Sequence, residues 1–305
     1  MLHHRLRSRA AIAALSIAAV AGLAGCDSAA HVSATASGRV TVAAAENFWG
    51  NIAEQIGGSR VSVHSIITDP NTDPHLYQSD PAAAATITTA QLVIENGAGY
   101  DDFMDKILAS SSSSSRRVLS VQKVLGVTGS NPNPHLWYWT QRLPTVATAI
   151  SRQLSSIDPA GAHAFAAGAA RFDASLKPLL TVISRIKSRY AGTSIAYTER
   201  VPGYLVAAAG LRLGTPASFS QAIEDGTDPS PQDTATFDRD ITQHKVKGLL
   251  YNSQVVDSQT TAIKALAVAA HVPVVGVSET MPPQYTSFQA WQLAQDRALL
   301  AALGG

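Results

Sequence analysis

The chain has 305 residues, 46% of them hydrophobic and only 15% charged, which is enough apolar material for a large core and excludes an intrinsically disordered chain. Lys+Arg 23 against Asp+Glu 22 gives a formal charge of +1, so no basic excess exists to displace counterions from phosphate and no nucleic-acid partner is expected. A single cysteine excludes a disulfide framework and any multi-thiolate metal site.

Residues 1–25 read as a lipoprotein signal peptide. Arg5, Arg7 and Arg9 form a positive n-region, and Ala10 to Leu23 is an apolar run too short for a comfortable membrane span. The run ends in Leu23-Ala24-Gly25-Cys26, small residues before the sole cysteine, which resembles a lipobox more than an ordinary cleavage site with a chance cysteine. Lipidation of Cys26 would hold the protein outside the cytoplasm, at ~0.8 kcal/mol per buried CH₂ of its acyl chains. Residues 26–38 are small and polar without periodicity, and read as a flexible tether.

An amino-terminal α/β lobe is expected over 39–159. Arg39–Ala44 is a strand, followed by a helix over Phe48–Ile56 that Gly57-Gly58 stops. Arg60–Ile67 is the next strand. Asp80-Pro81 opens a helix, with Asp as N-cap and Pro in the first turn. Leu92–Glu95 is a short buried strand and Asp101–Leu108 a helix. The serine run Ser110–Ser115 is a solvated loop.

Residues 160–191 form a connecting element. Phe165, Phe172, Leu176, Leu179, Leu180, Ile183 and Ile186 recur near 3.6-residue spacing, which predicts one long amphipathic helix that Pro178 kinks or breaks. Residues 192–305 then resume the alternation. Strands are expected at Ser194–Thr198, Val246–Tyr251 and Val272–Val277, and helices at Gly203–Ala209, Pro231–Gln243, Thr260–Ala270 and Ser287–Leu303. Such alternation predicts an α/β protein of two lobes, each a parallel sheet flanked by helices, joined by one long interlobe helix.

Two tetrapeptides repeat a pattern: Asp73-Pro74-His75-Leu76 and Asn133-Pro134-His135-Leu136. In each, proline stiffens the loop, and an acid or amide stands where it can accept a hydrogen bond from the second ring nitrogen and fix the tautomer. Glu199 and Glu279 directly follow apolar strands. In open α/β sheets ligands bind beyond the carboxyl ends of the strands. Each lobe therefore offers two donors, His75 and His135 from the first, Glu199 and Glu279 from the second. Neutral imidazole with carboxylate suits a divalent transition metal. The other histidines have structural readings: His64 on a strand's polar face, His163 on the long helix, His244 closing a helix and His271 before a strand. Trp137 and Trp139 read first as aromatic core and second as walls that keep water from a site at His135, and Glu224-Asp225-Gly226-Thr227-Asp228-Pro229 reads as a solvated loop in preference to a second metal site.

The lipobox, Asp73-Pro74-His75, Asn133-Pro134-His135-Leu136-Trp137, the long helix and Glu279 together resemble the zinc/manganese solute-binding lipoproteins of ABC importers, from about Val40 to Leu303. The segment Tyr197-Thr198-Glu199-Arg200-Val201-Pro202-Gly203-Tyr204 resembles the region carrying that family's third ligand, where glutamate follows the manganese-type pattern and histidine the zinc-type one. Glu279 stands where the family usually has aspartate, a departure that lengthens the arm by one methylene. The resemblance implies a lipid-anchored monomer that binds one zinc or manganese ion through His75, His135, Glu199 and Glu279 and hands it to a membrane permease. Because the long helix resists bending, it implies modest rocking of the lobes rather than wide closure. Two other readings stand beside it. An extracellular metallo-hydrolase would need an open coordination position and a general base, and a siderophore or cobalamin binder would need a wide aromatic or arginine-lined cleft.

Overall fold

Strand β1 (Val40–Glu46) is the continuous buried run that a parallel strand covered on both faces requires. The computed structural model describes residues 38–70, 72, 77, 78 and 80–305. The signal peptide, Cys26, the tether up to residue 37 and the first Pro-His segment, His75 included, lie outside the described residues. β1 is flanked by β2 (Val61–Ile67) on one side and by β3 (Leu92–Glu95) on the other, and β4 (Arg117–Ser120) pairs with β3. All three ladders are parallel. Helix α1 (Asn47–Gly57) ends where Gly58 takes a positive φ of 55°, as the glycine pair predicts. Helix α2 (Pro81–Thr89) opens with the Asp80 side chain accepting the Ala83 N–H at 2.7 Å. Helix α3 (Asp102–Ser110) leads toward the serine run, and α4 (Val121–Leu125) and α5 (Leu143–Ile157) follow β4.

The connecting element is two helices laid end to end, α6 (Ala162–Ser175) and α7 (Lys177–Tyr190). Pro178 has no N–H to give to the preceding turn, and the chain tightens at Leu176, whose N–H bonds to the Asp173 carbonyl at 3.1 Å. The single helix expected over 160–191 is thus broken at its centre. Gly168 lets α6 lie directly on α1, since a Cβ there would meet the Ile56 carbonyl oxygen.

The second sheet repeats the order of the first. β5 (Ser194–Tyr197) lies between β6 (Arg212–Leu213) and β7 (Leu249–Asn252), and β8 (Val274–Val277) pairs with β7, again all parallel. Around it are α8 (Gly203–Ala208), α9 (Ala217–Glu224), α10 (Pro231–Thr242), α11 (Ser258–Ala269) and α12 (Phe288–Ala302). The molecule is therefore two α/β lobes, each with a four-stranded parallel sheet.

The lobes share one core. Its largest apolar cluster joins Phe48, Ile94, Trp137 and Ile150 of the first lobe to Leu250, Val277 and Trp291 of the second, through Phe172 and Ile183 of the connecting helices. Smaller clusters lie within each lobe, around Phe103 and Ile87 in the first and around Phe219 and Phe237 in the second. A polar seam reinforces the junction. Asn47 donates to the Met281 carbonyl at 2.8 Å and accepts the Met281 N–H at 2.9 Å. One turn on, Asn51 accepts the Phe288 N–H at 2.9 Å, and a turn further Gln55 exchanges amide bonds with Gln289. These three α1 amides recur every four residues, so they line one face of the helix.

Candidate functional site

The three parallel ladders of each lobe run the same way, so the carboxyl ends of all their strands open on one side. In the second lobe β7 lies between β5 and β8, with Asn252 paired to Val277 in register. Glu199, Asn252 and Glu279 therefore stand at the ends of three adjacent strands, with the asparagine in the middle. All three are buried, Glu199 at 3%, Asn252 at 1% and Glu279 at 1% exposure. The Asn252 amide donates to Glu279 Oε1 at 2.7 Å and to Glu199 Oε2. The Tyr100 hydroxyl donates to Glu279 Oε2 at 2.9 Å. Gln254 fixes the backbone of this strand end, its Oε1 accepting the Glu279 N–H at 2.5 Å and the Thr280 N–H at 2.8 Å. The same side chain reaches the first lobe, donating to the Pro70 carbonyl at 2.5 Å.

From the first lobe comes His135, fully buried. Asn133 controls it. Its Oδ1 accepts the His135 backbone N–H at 3.0 Å and lies 2.8 Å from His135 Nδ1. The orientation of this amide is set by its other end, because Nδ2 donates to the Arg200 carbonyl at 2.8 Å. An amide oxygen only accepts, so Nδ1 carries a proton and Nε2 is the nitrogen turned toward the second lobe. Nε2 lies 3.7 Å from Glu279 Oε2. The tautomer control expected from the Asn-Pro-His spacing is thus present, and it is coupled to the residue that follows Glu199.

Aromatic rings hold the histidine. Trp137 stacks on Phe48 with centroids 4.2 Å apart and meets His135 edge-on at 5.3 Å. Tyr100 packs against Trp137 at 4.9 Å and against His135 at 5.7 Å. Trp139 instead stacks on Tyr204 across the lobes at 4.8 Å. Asp101 shapes the loop that carries Tyr100 by accepting the Asn96 and Gly97 N–H groups at 2.6 and 2.7 Å. Burial outweighs these two bonds and pushes the Asp101 carboxyl up to about 7. Glu46, fully buried at the end of β1, is pushed well above the usual carboxylate range, first by burial and then by the charges of Asp101 and Glu95.

Glu224 departs from expectation. The acidic stretch 224–229 reads as a solvated loop, yet Glu224 ends α9 in the interior and forms a bidentate pair with Arg200, at 2.6 and 2.9 Å. Arg200 also bonds Asn131 Oδ1 at 3.1 Å, so the pair braces the loop before His135. His64 is exposed on β2, as expected for a polar strand face. His244 and His271 close helices in the left-handed conformation, at φ 52° and 56°.

The structure thus brings three of the four expected donors together: His135 faces Glu279, and Asn252 ties Glu279 to Glu199. Among the described residues no three His, Cys, Asp or Glu side chains have the mutual spacing of a metal cage. Sequence reading passed over Asn252, Gln254 and Tyr100. A signal existed for Asn252, which ends the buried apolar strand Leu-Leu-Tyr-Asn just as Glu199 follows Ser-Ile-Ala-Tyr-Thr. Tyr100 and Gln254 carry none, because only the fold brings the first to the Glu279 carboxylate and the second to the Glu279 backbone.

Two parallel sheets of one topology, a shared core and buried polar donors converging from both lobes define a two-lobed α/β binding protein. The family model described as ZnuA, zinc-uptake complex component A periplasmic, matches residues 42–302, and the chain belongs to that family. Among characterised proteins it is similar to the metal ABC transporter substrate-binding lipoprotein FimA of Streptococcus parasanguinis, 22% identical over 287 residues and 88% of each chain. It is also similar to the manganese-binding lipoprotein MntA of Bacillus subtilis, 23% identical over 69% of this chain and 70% of the relative. Among solved structures, the periplasmic zinc binding protein TroA of Treponema pallidum shares the fold at a TM-score of 0.75 and 18% identity, covering 87% of this chain and 99% of that one. A manganese-bound periplasmic metal binding protein from Candidatus Liberibacter asiaticus does so at 0.71 and 18%, over 87% of this chain and 100% of that one.

Proposed function

We propose that the protein captures a divalent transition metal, zinc or manganese, outside the cytoplasm and delivers it to the permease of an ABC importer, working as a monomer tethered through lipidated Cys26. Family membership supports a carrier and gives no support to a hydrolase. The observation that carries the reading is the meeting of His135 and Glu279 from opposite lobes, 3.7 Å apart and both buried. An ion bonded to each at about 2.1 Å would span that gap at an angle of roughly 120°. We assign His75, His135, Glu199 and Glu279 as the ligands. The close approach of these buried donors to one another favours a bare cation over a bulky chelate. Glu199 then governs selectivity. A carboxylate can bind through both oxygens and raise the coordination number, which suits manganese, whereas an imidazole there favours four-coordinate zinc.

Competitive titration of the full-length protein with zinc and manganese tests this reading. Glu199→Gln should weaken both ions, and Glu199→His should shift the affinity ratio toward zinc, mainly by weakening manganese. Undiminished binding of both ions by Glu199→Gln would remove Glu199 from the ligand set. The anchor has its own test: Cys26→Ala should abolish partitioning into detergent.

A further inference from the structure

Asn252 touches both carboxylates of the site, and its neighbours leave the amide a single orientation. Its Oδ1 accepts the Gln254 N–H at 3.1 Å, which orients the amide, while its backbone N–H donates to Thr198 Oγ1 at 3.1 Å and anchors the residue. The NH₂ group is therefore turned toward Glu199 and Glu279, with two protons for two carboxylates.

We propose that Asn252 offsets the charge of Glu199 and Glu279 in the metal-free protein, from beside the place of the ion, and that by doing so it lowers the affinity to a level that allows release. This rests on Glu199 and Glu279 being ligands. Two carboxylates held at the two sides of one amide repel each other, and burial strengthens that repulsion. A neutral amide relieves part of it by donating to both. A divalent ion between the same groups cancels the repulsion outright and draws the oxygen lone pairs to itself, so the amide's bonds to the carboxylates lose strength. Asn252 thus stabilises the metal-free state more than the loaded one. Affinity is the difference between those states, so a residue that favours the empty one weakens binding. A carrier must surrender its cargo, and an amide that bonds the carboxylates again as the ion leaves lowers the barrier to that step. The side chain is suited to the task because it is uncharged. A carboxylate at 252 would add a third negative charge and trap the ion, while a lysine would exclude it.

The experiment uses the full-length protein in detergent, stripped of metal with a chelator and titrated with zinc chloride and with manganese chloride. Asn252→Ala removes both donors. Asn252→Ser keeps one hydroxyl proton and is the milder variant should alanine fold poorly. The expected result is a lower melting temperature for the metal-free variants, a smaller loss for the loaded ones and hence a wider metal-induced shift. The dissociation constant should tighten about tenfold in Asn252→Ala, the change expected when the two bonds together are worth about 1.4 kcal/mol more in the metal-free state than in the loaded one, with a smaller change in Asn252→Ser. Dissociation into excess chelator should slow in the same order. Equal or weaker binding in both variants overturns the proposal and makes Asn252 a scaffold for the loaded site. Glu279→Gln separates this from the underlying reading: if it binds both ions as tightly as the parent, the ligand assignment fails, whatever Asn252 does.

Discussion

The two lobes hold their donors by different physics. The first lobe fixes His135 with apolar surface, the ring lying against Trp137 and Tyr100, with Phe48 stacked behind. The carboxylates of the second, Glu199 and Glu279, are held by hydrogen bonds, from its own Asn252 and from Tyr100 of the first lobe, with Gln254 accepting the Glu279 backbone N–H. An imidazole can be seated in a core without charge, at little cost. A carboxylate cannot, because its buried charge needs donors on several sides. The lobe that carries charge must therefore carry an amide network, and the lobe that carries imidazole needs rings and one acceptor, Asn133.

Substitutions in the two supports should separate stability from affinity. Trp137→Ala removes a fully buried indole from the shared core and should cost about 3–5 kcal/mol in denaturant unfolding, with metal affinity falling only as far as His135 loses its seat. A loss below about 1 kcal/mol would show that packing does not hold the histidine lobe together. Gln254→Ala leaves the backbone N–H groups of Glu279 and Thr280 without their acceptor, for about 2–3 kcal/mol of stability. Here the larger effect should be on metal titration, because the Glu279 backbone is released. Unchanged affinity in this variant would break the contrast between the lobes.

The effect spread most thinly, over several pH units, concerns titration and is shared by both lobes. Burial pushes the Asp296 carboxyl on α12 up to about 8, and its Oδ2 has no hydrogen-bond partner among the described residues. The folded state therefore keeps the proton while the unfolded chain loses it above ~4. Stability from this group is complete below that value and declines as pH rises toward about 8, by at most ~1.4 kcal/mol per unit. Asp101 and Glu46 act with the same sign in the first lobe. Asp296→Asn should flatten only its own share of the decline between pH 5 and 8 (unfolding free energies across that range measure it). An unchanged slope would mean that Asp296 is neutralised by another route.

Local chemistry was readable from the chain. Asp80 caps α2, Gly58 stops α1, and the apolar runs at Val40, Leu92, Ser194 and Val274 are strands. The stripe Leu143, Val146, Ile150 and Leu154 of α5 was within reach of periodicity, although the elements read in chain order pass over it. The two-residue strand β6 was not, because its pairing with β5 defines it more than its own residues do. Pro178 announced a break, but its position at Leu176 follows from how α6 and α7 pack.

By itself the sequence determined the alternation of strand and helix, hence two parallel sheets, and it marked His135, Glu199 and Glu279 through their places beside proline or at strand ends. These are properties of a residue and its near neighbours, and the chain carries them wherever it goes. The tertiary structure alone decided that Asn252 lies between two glutamates, since that depends on β7 lying between β5 and β8. It alone set Tyr100 on Glu279, 179 residues away, and Asn47 on Met281, 234 residues away. Contacts of such separation have no period and no motif. They exist because burying one shared apolar core forces the two lobes together, and polar groups caught at that junction must find their partners there.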